Sequence, residues 1–247
     1  MKVCWNITSN CNKNCPYCFR FIEKDLTLEQ NKIILSKLTS LGVDKILWAG
    51  GEPFLYKDLN KLLKLSKEQG LINYLNTNAS LLTENNVFEK TKYVDRLIIS
   101  LDFVDDNLND RYGIGKNYYY HVQKILNKLK ATDLEIQINT VLFSKNIDYI
   151  DDLYKELRKY NIKYWKILQY LPIRGKALKE KNSLSITENE FEKCVSKYKK
   201  EKNNFELIVH DIKKMEESHI IILSSGKIIC SEKGKDIQID KGLIKNE

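Results

Sequence analysis

"CNKNCPYCFRF", residues 11–21, places Cys11, Cys15 and Cys18 within eight positions of a 247-residue chain that has six cysteines in all. The stretch follows an alternating apolar segment at Val3–Ile7, so the three thiols leave the end of a strand in one loop and are free to converge on one centre. Zinc would require a fourth ligand to complete its tetrahedron. Cys4 is the nearest candidate but lies inside the strand, and no Cys or His follows at finger spacing. A 4Fe-4S cluster held by three cysteines instead leaves one iron with an open coordination position. Buried cysteines without metal are the plain structural alternative, although Asn12, Asn14 and Arg20 do not make an apolar face. Cys4, Cys194 and Cys230 each stand alone in an apolar pattern and read as buried structural thiols.

Outward from this loop, strands are predicted at Val3–Ile7, Lys45–Trp48, Asn73–Asn76, Arg96–Ser100, Glu135–Val141 and Tyr164–Gln169. Helices with apolar spacings of three and four fit between them, clearest at Leu28–Leu41, Leu59–Gln69, Tyr118–Lys130 and Asp148–Tyr160, with Gly42 at a C-cap position. Strand and helix alternation implies a parallel sheet with right-handed crossovers. The expected fold is α/β, a partial (β/α)6 TIM-like barrel over residues 1–170. A small C-terminal α/β extension over 171–247 is expected to close one side, with a helix at Glu188–Tyr198, a strand at Phe205–Val209 and a hairpin turning at Ser224–Gly226. The whole chain, 1–247, reads as a single domain, with three prolines and no low-complexity linker.

The 43% hydrophobic content suits a globular protein, and the net charge of +8, from 41 basic and 33 acidic side chains, is spread along the chain. A diffuse positive field favours anionic small molecules, nucleotides or nucleic acid without choosing among them. No stretch approaches the ~18 apolar residues of a membrane span and the start lacks a signal-peptide core, so a cytoplasmic protein is expected. A tight cysteine cluster in a reducing compartment is more often a metal site than a disulfide framework.

Further motifs stand at later strand ends. "WAGGEPFLY" carries Gly50, Gly51, Glu52 and Pro53; the glycines allow close backbone approach and Glu52 is able to accept from an ammonium. "NTNAS" offers Asn78 and Ser80, and "ISLD" offers Ser100 and Asp102. Taken alone, the first pair also suits a turn and the second a helix cap. All lie at the carboxyl ends of parallel strands, where barrels build active sites.

The cysteine spacing, with Tyr17 just before Cys18, and the GGEP segment 32 residues beyond it resemble the radical S-adenosylmethionine superfamily. That resemblance implies a 4Fe-4S cluster on Cys11, Cys15 and Cys18, with S-adenosylmethionine at the open iron. It places Tyr17 beside the adenine, Gly50, Gly51, Glu52 and Pro53 at the methionine amino group, and Asn78, Ser80, Ser100 and Asp102 at the carboxylate and ribose. It further implies reductive cleavage to a 5′-deoxyadenosyl radical that abstracts a substrate hydrogen, with a flavodoxin or ferredoxin type electron donor.

"LEIQINTVLFSKNID", "KYWKILQYLPIRGKA", "LSITENEFEKCVSKY" and "DIKKMEESHIIILSSGKIIC" are similar, in order and spacing, to segments of the viperin family. Those are antiviral nucleotide dehydratases that form a 3′-deoxy-3′,4′-didehydro nucleotide. The resemblance implies a small-molecule nucleotide substrate contacted by Asn139 and Lys166. The chain lacks the family's amphipathic N-terminal membrane helix, and a monomer with no membrane or nucleic-acid partner is expected. Three positions depart from the pattern. Gln137 stands for a phosphate-binding lysine, and Ile114 in "YGIGKN" for an arginine, with Arg111 or Lys116 as possible substitutes. His219 stands for a hydrogen-donating tyrosine and is the catalytic candidate beside Lys166. Loss of two charge-assisted contacts, worth ~1.5–3 kcal/mol each, predicts weakened triphosphate binding. His121 and His210 read as structural. Another small molecule or a peptide is the alternative substrate. In another class stands a non-catalytic iron-sulfur sensor or nucleic-acid-binding module, although Tyr118–Tyr120 is the only aromatic run.

Overall fold

Segments that alternate between an apolar and a mixed face assemble into one ten-stranded sheet. This computed structural model describes residues 1–216, 220–232 and 235–240. β1 (Lys2–Thr8), β2 (Lys45–Gly50), β3 (Ile72–Thr77), β4 (Arg96–Ser100), β5 (Glu135–Leu142), β6 (Tyr164–Gln169) and β7 (Glu206–His210) lie side by side in chain order, all parallel. β8 (Ile220–Ile222) adds to the other edge of β1, also parallel, and β9 (Ile228–Glu232) and β10 (Lys235–Asp240) continue outward antiparallel. Among the described residues no ladder joins β7 to β10, so the barrel is open.

The helices are α1 (Leu28–Ser40), α2 (Leu59–Glu68), α3 (Val87–Thr91), α4 (Asp106–Arg111), α5 (Tyr118–Leu129), α6 (Ile150–Leu157), α7 (Gly175–Lys179), α8 (Lys181–Leu184), α9 (Glu188–Lys199) and α10 (Ile212–Glu216). Helices α1 and α9 start at capping boxes, Thr27 with Gln30 and Thr187 with Glu190, which satisfy N–H groups that have no partner inside the helix. Helical residues such as Ile34, Leu62, Val122 and Leu153 join Trp5, Trp48 and Trp165 of the strands in one continuous apolar core. Trp5 stacks on Trp48 at 5.1 Å between centroids, and Trp165 packs among Tyr154, Tyr198 and Phe205. Each such side chain contributes roughly 1.5–3 kcal/mol by leaving water.

The partial barrel matches the sequence expectation, with two differences. The expected helix at Asp148–Tyr160 is a 3₁₀ turn at Ile147–Tyr149 followed by α6, because the Asn146 side chain caps Phe143 N–H and Val141 C=O and tightens the entry. The C-terminal extension was expected on one side. Its strands instead go to opposite edges, β7 beside β6 and β8–β10 beside β1, and the alternating Ile237 and Ile239 of β10 are exposed.

Candidate active site

The strand pleat sends Val3, Trp5 and Ile7 outward and Cys4 and Asn6 inward, and the parallel register repeats this on every neighbour. Inward positions line a cavity of about 360 Å³ at the carboxyl ends of the strands. Cys11, Cys15 and Cys18 all face it, as do Gly50, Gly51, Asn78, Ser100, Asp102 and Asn139.

The cysteine loop is held from three directions. Gly51 N–H donates to Thr8 C=O at 2.8 Å and Glu52 N–H to Asn10 C=O at 2.7 Å. A Cβ on Gly51 would lie 2.0 Å from Asn10 O, and one on Gly50, at φ +125°, 2.3 Å from Thr8 O, so both glycines are required by contact with the loop. From the opposite side, Asn14 N–H donates to Gly113 C=O and Ala177 N–H to Cys18 C=O, at 2.9 and 3.2 Å. Asp25 ties the first turn by accepting from Thr8 Oγ1, Ser9 N–H and Asn10 Nδ2.

Cys11 Sγ accepts from Lys13 N–H at 3.4 Å and from Asn78 Nδ2 at 3.8 Å. Burial, followed by the Asp102 charge, pushes the Cys15 thiol up to about 12, so its ionised form calls for a cation at the sulfur. Among the described residues no three His, Cys, Asp or Glu side chains gather as ligands of a single metal ion. A 4Fe-4S cluster makes a different demand, since each thiolate binds its own iron. Three sulfurs spread around one cavity wall, in a loop fixed by backbone hydrogen bonds, fit that donor set.

The remaining predicted positions divide into wall and support. Gly50, Gly51, Asn78, Ser100 and Asp102 are wall residues, and Tyr17 lies beside them with its ring 4.9 Å from Phe143. Tyr17 OH donates to Asp102 Oδ2 at 2.6 Å while Val141 N–H donates to Oδ1 at 2.7 Å, so both Asp102 oxygens are engaged. Burial holds Asp102 up at about 6 against these two bonds. Glu52 is fully buried and turned away from the cavity; it accepts from Phe54 N–H, Thr77 Oγ1 and Asn78 N–H. Its carboxylate therefore fixes the β2 and β3 strand ends to each other, and the cavity meets the glycine backbone instead. Pro53 is buried at the start of the 3₁₀ turn Pro53–Leu55. Ser80 Oγ donates to Asn78 Oδ1 and accepts from Asn12 Nδ2, outside the wall.

At the substrate positions, Asn139 lines the cavity and Lys166, its register partner on β6, does not. Burial, reinforced by Lys2, brings the Lys166 ammonium down to about 8. Ile114 is buried in the wall, while Arg111 and Lys116 are exposed and outside it. His219 lies outside the described residues. His121 Nε2 pairs with Ala79 O at 3.0 Å, in keeping with a structural role.

Sequence reading missed three cations of the wall, Lys13, Arg20 and Arg174; the first two sit in the opening stretch itself and also border a second cavity of about 60 Å³ behind the cysteine loop. It also missed the inward amides Asn6 and Asn76 and the thiol Cys4, whose signal is a polar residue at every second position of otherwise apolar strands.

Residues 5–157, more than half of the chain, match the Radical SAM superfamily, and the chain belongs to that superfamily. It is a radical SAM enzyme, of the class that uses a 4Fe-4S cluster and S-adenosylmethionine. An S-adenosylmethionine-dependent nucleotide dehydratase of Flammeovirga pacifica is 27% identical over 251 residues, covering 96% of this chain and 85% of that protein. Another, of Lacinutrix mariniflava, is 29% identical over 214 residues, covering 80% of this chain and 44% of that protein, so this chain spans less than half of its length. The fold is shared with SuiB of Streptococcus suis bound to S-adenosylmethionine, at a TM-score of 0.72 and 17% identity over 92% of this chain and 59% of that one.

Proposed function

We propose that this radical SAM enzyme is a nucleotide dehydratase of the viperin type, acting on a nucleotide held in the barrel cavity. The observation that carries the reading is one cavity in which the three cysteines and the strand-end glycines meet the inward Asn139. The two dehydratase relatives support it. Bound there, the cluster and S-adenosylmethionine would supply a 5′-deoxyadenosyl radical, the hydrogen-abstracting agent.

The chain's own residues bind, orient and exclude. Cys11, Cys15 and Cys18 would hold the cluster, and the backbone at Gly50 and Gly51 with the Asn78 amide would receive the methionine end. Asp102 holds the Tyr17 ring through its hydroxyl. The apolar wall of Ile114, Leu168 and Ile221 keeps water from the reacting atoms. Substrate phosphates find cations at Lys13 and Arg20 in the wall, in place of the arginine and lysine replaced by Ile114 and Gln137. The smaller cavity opens beside the exposed Ile22 and Lys176 and reaches Cys15 and Cys18, an approach for a one-electron donor of flavodoxin or ferredoxin type.

Anaerobic reconstitution, reduction and a panel of nucleoside mono-, di- and triphosphates test this through 5′-deoxyadenosine release. Nucleotides should stimulate release well above the level with S-adenosylmethionine alone. Stimulation by a peptide or an unrelated metabolite, and by no nucleotide, would overturn the assignment.

A further inference from the structure

Gln137 stands where the viperin pattern has a cation, yet it is buried and hydrogen-bonded at both ends of its amide. Arg96 Nη1 donates to Gln137 Oε1 at 3.3 Å, and Gln137 Nε2 donates to Asn139 Oδ1 at 2.7 Å. Arg96 is itself fixed: its guanidinium lies between the rings of Tyr74 and Tyr164, 4.4 and 3.8 Å from their centroids, and pairs with Glu135 at 2.7 Å. A guanidinium has only donors, so it selects the oxygen of Gln137 and leaves the NH₂ pointing along β5. That NH₂ in turn selects the oxygen of Asn139. Asn139 Nδ2 is then left without a partner among the described residues, on a residue that lines the cavity.

We propose that Gln137 is a positioning residue that sets the amide orientation of Asn139, so that Asn139 presents a hydrogen-bond donor to an accepting group of the substrate, a phosphate oxygen of the nucleotide. The inference rests on the nucleotide reading above and explains how a neutral residue serves where a cation is missing. The polarity of the relay originates in Arg96 and ends at the ligand, so changing the middle residue changes what the end residue offers. Glutamate at 137 has no N–H for Asn139 Oδ1. Asn139 would turn, donate to the new carboxylate and face the phosphate with its oxygen. Lysine at 137 would keep the donor toward Asn139 Oδ1 but set a second charge against Arg96.

The two substitutions therefore have opposite expected signs on stability and on affinity. Gln137→Glu gains an ion pair with Arg96, so its melting temperature should hold or rise, while nucleotide KM and Kd rise roughly tenfold or more with kcat little changed. Gln137→Lys should lower the melting temperature without raising KM. Equilibrium dialysis of labelled nucleotide, 5′-deoxyadenosine kinetics and thermal unfolding of the reconstituted enzyme read all three quantities. Wild-type nucleotide affinity in Gln137→Glu, or a KM that merely follows stability in both variants, overturns the relay. No nucleotide binding by the wild-type enzyme overturns the nucleotide reading, and the relay's role with it.

Discussion

The two faces of the same seven parallel strands differ by a single residue step. On the outer face Trp5, Trp48, Leu97, Ile138 and Trp165 are fully buried against helices. On the inner face Cys4, Asn6, Asn76, Ser100 and Asn139 stand around a cavity. Both sets belong to one pleat, so neither face is free to shift register without exchanging the core for the site. The contrast assigns stability to one set of positions and chemistry to the other, and substitutions should separate accordingly.

The largest effect is expected from Cys15→Ala, which should abolish the 4Fe-4S absorbance and 5′-deoxyadenosine release while far-ultraviolet circular dichroism stays unchanged. Persistence of both signals would remove the cysteine loop from the chemistry. Its counterpart on the outer face is Trp165→Ala, which empties a site packed by Tyr154, Tyr198 and Phe205. It should cost about 3–5 kcal/mol in urea unfolding. A cost near zero would mean that the outer face is not the core.

Lys166 tests an intermediate position, on the inner face by register yet outside the cavity wall. Its ammonium, flanked by Lys2 and Cys4, titrates at about 8 when folded and near 10.5 when unfolded. Below pH 8 both states are charged and the folded state carries the full burial cost. As pH rises from 8 toward 10.5 the folded state releases its proton first, so this destabilisation fades. Lys166→Met should therefore be more stable than the wild type at pH 7, with the gap narrowing by pH 10 in urea titrations. An unchanged nucleotide KM in this variant would exclude Lys166 from substrate contact. The smallest effect belongs to neither face: Lys199→Ala breaks an exposed pair with Glu192 at 2.8 Å and should shift stability by less than about 1 kcal/mol.

The outer face was legible because apolar periodicity carries it, and all six expected barrel strands coincide with observed ones to within two residues at either end. The cysteine loop was legible because its ligands are adjacent in sequence. What escaped depends on contacts between distant segments. The direction of the Glu52 carboxylate is set by Thr77 and Asn78 of the next strand, and a motif gives a residue's chemistry without its orientation. The relay from Arg96 through Gln137 to Asn139 needs the pairing of β4 with β5. Lys13 and Arg20 face the cavity only because the loop is drawn back by Gly51, Gly113 and Ala177. The division of the C-terminal strands between both sheet edges is long-range pairing of the same kind.

The most direct measurement of the central claim is transfer of deuterium from a ribose-deuterated nucleotide into 5′-deoxyadenosine, read by mass spectrometry of a reduced, anaerobic reaction. A nucleotide held in this cavity as the substrate of the radical predicts 5′-deoxyadenosine carrying one deuterium. Release of unlabelled 5′-deoxyadenosine, at the same rate with and without the nucleotide, would contradict it.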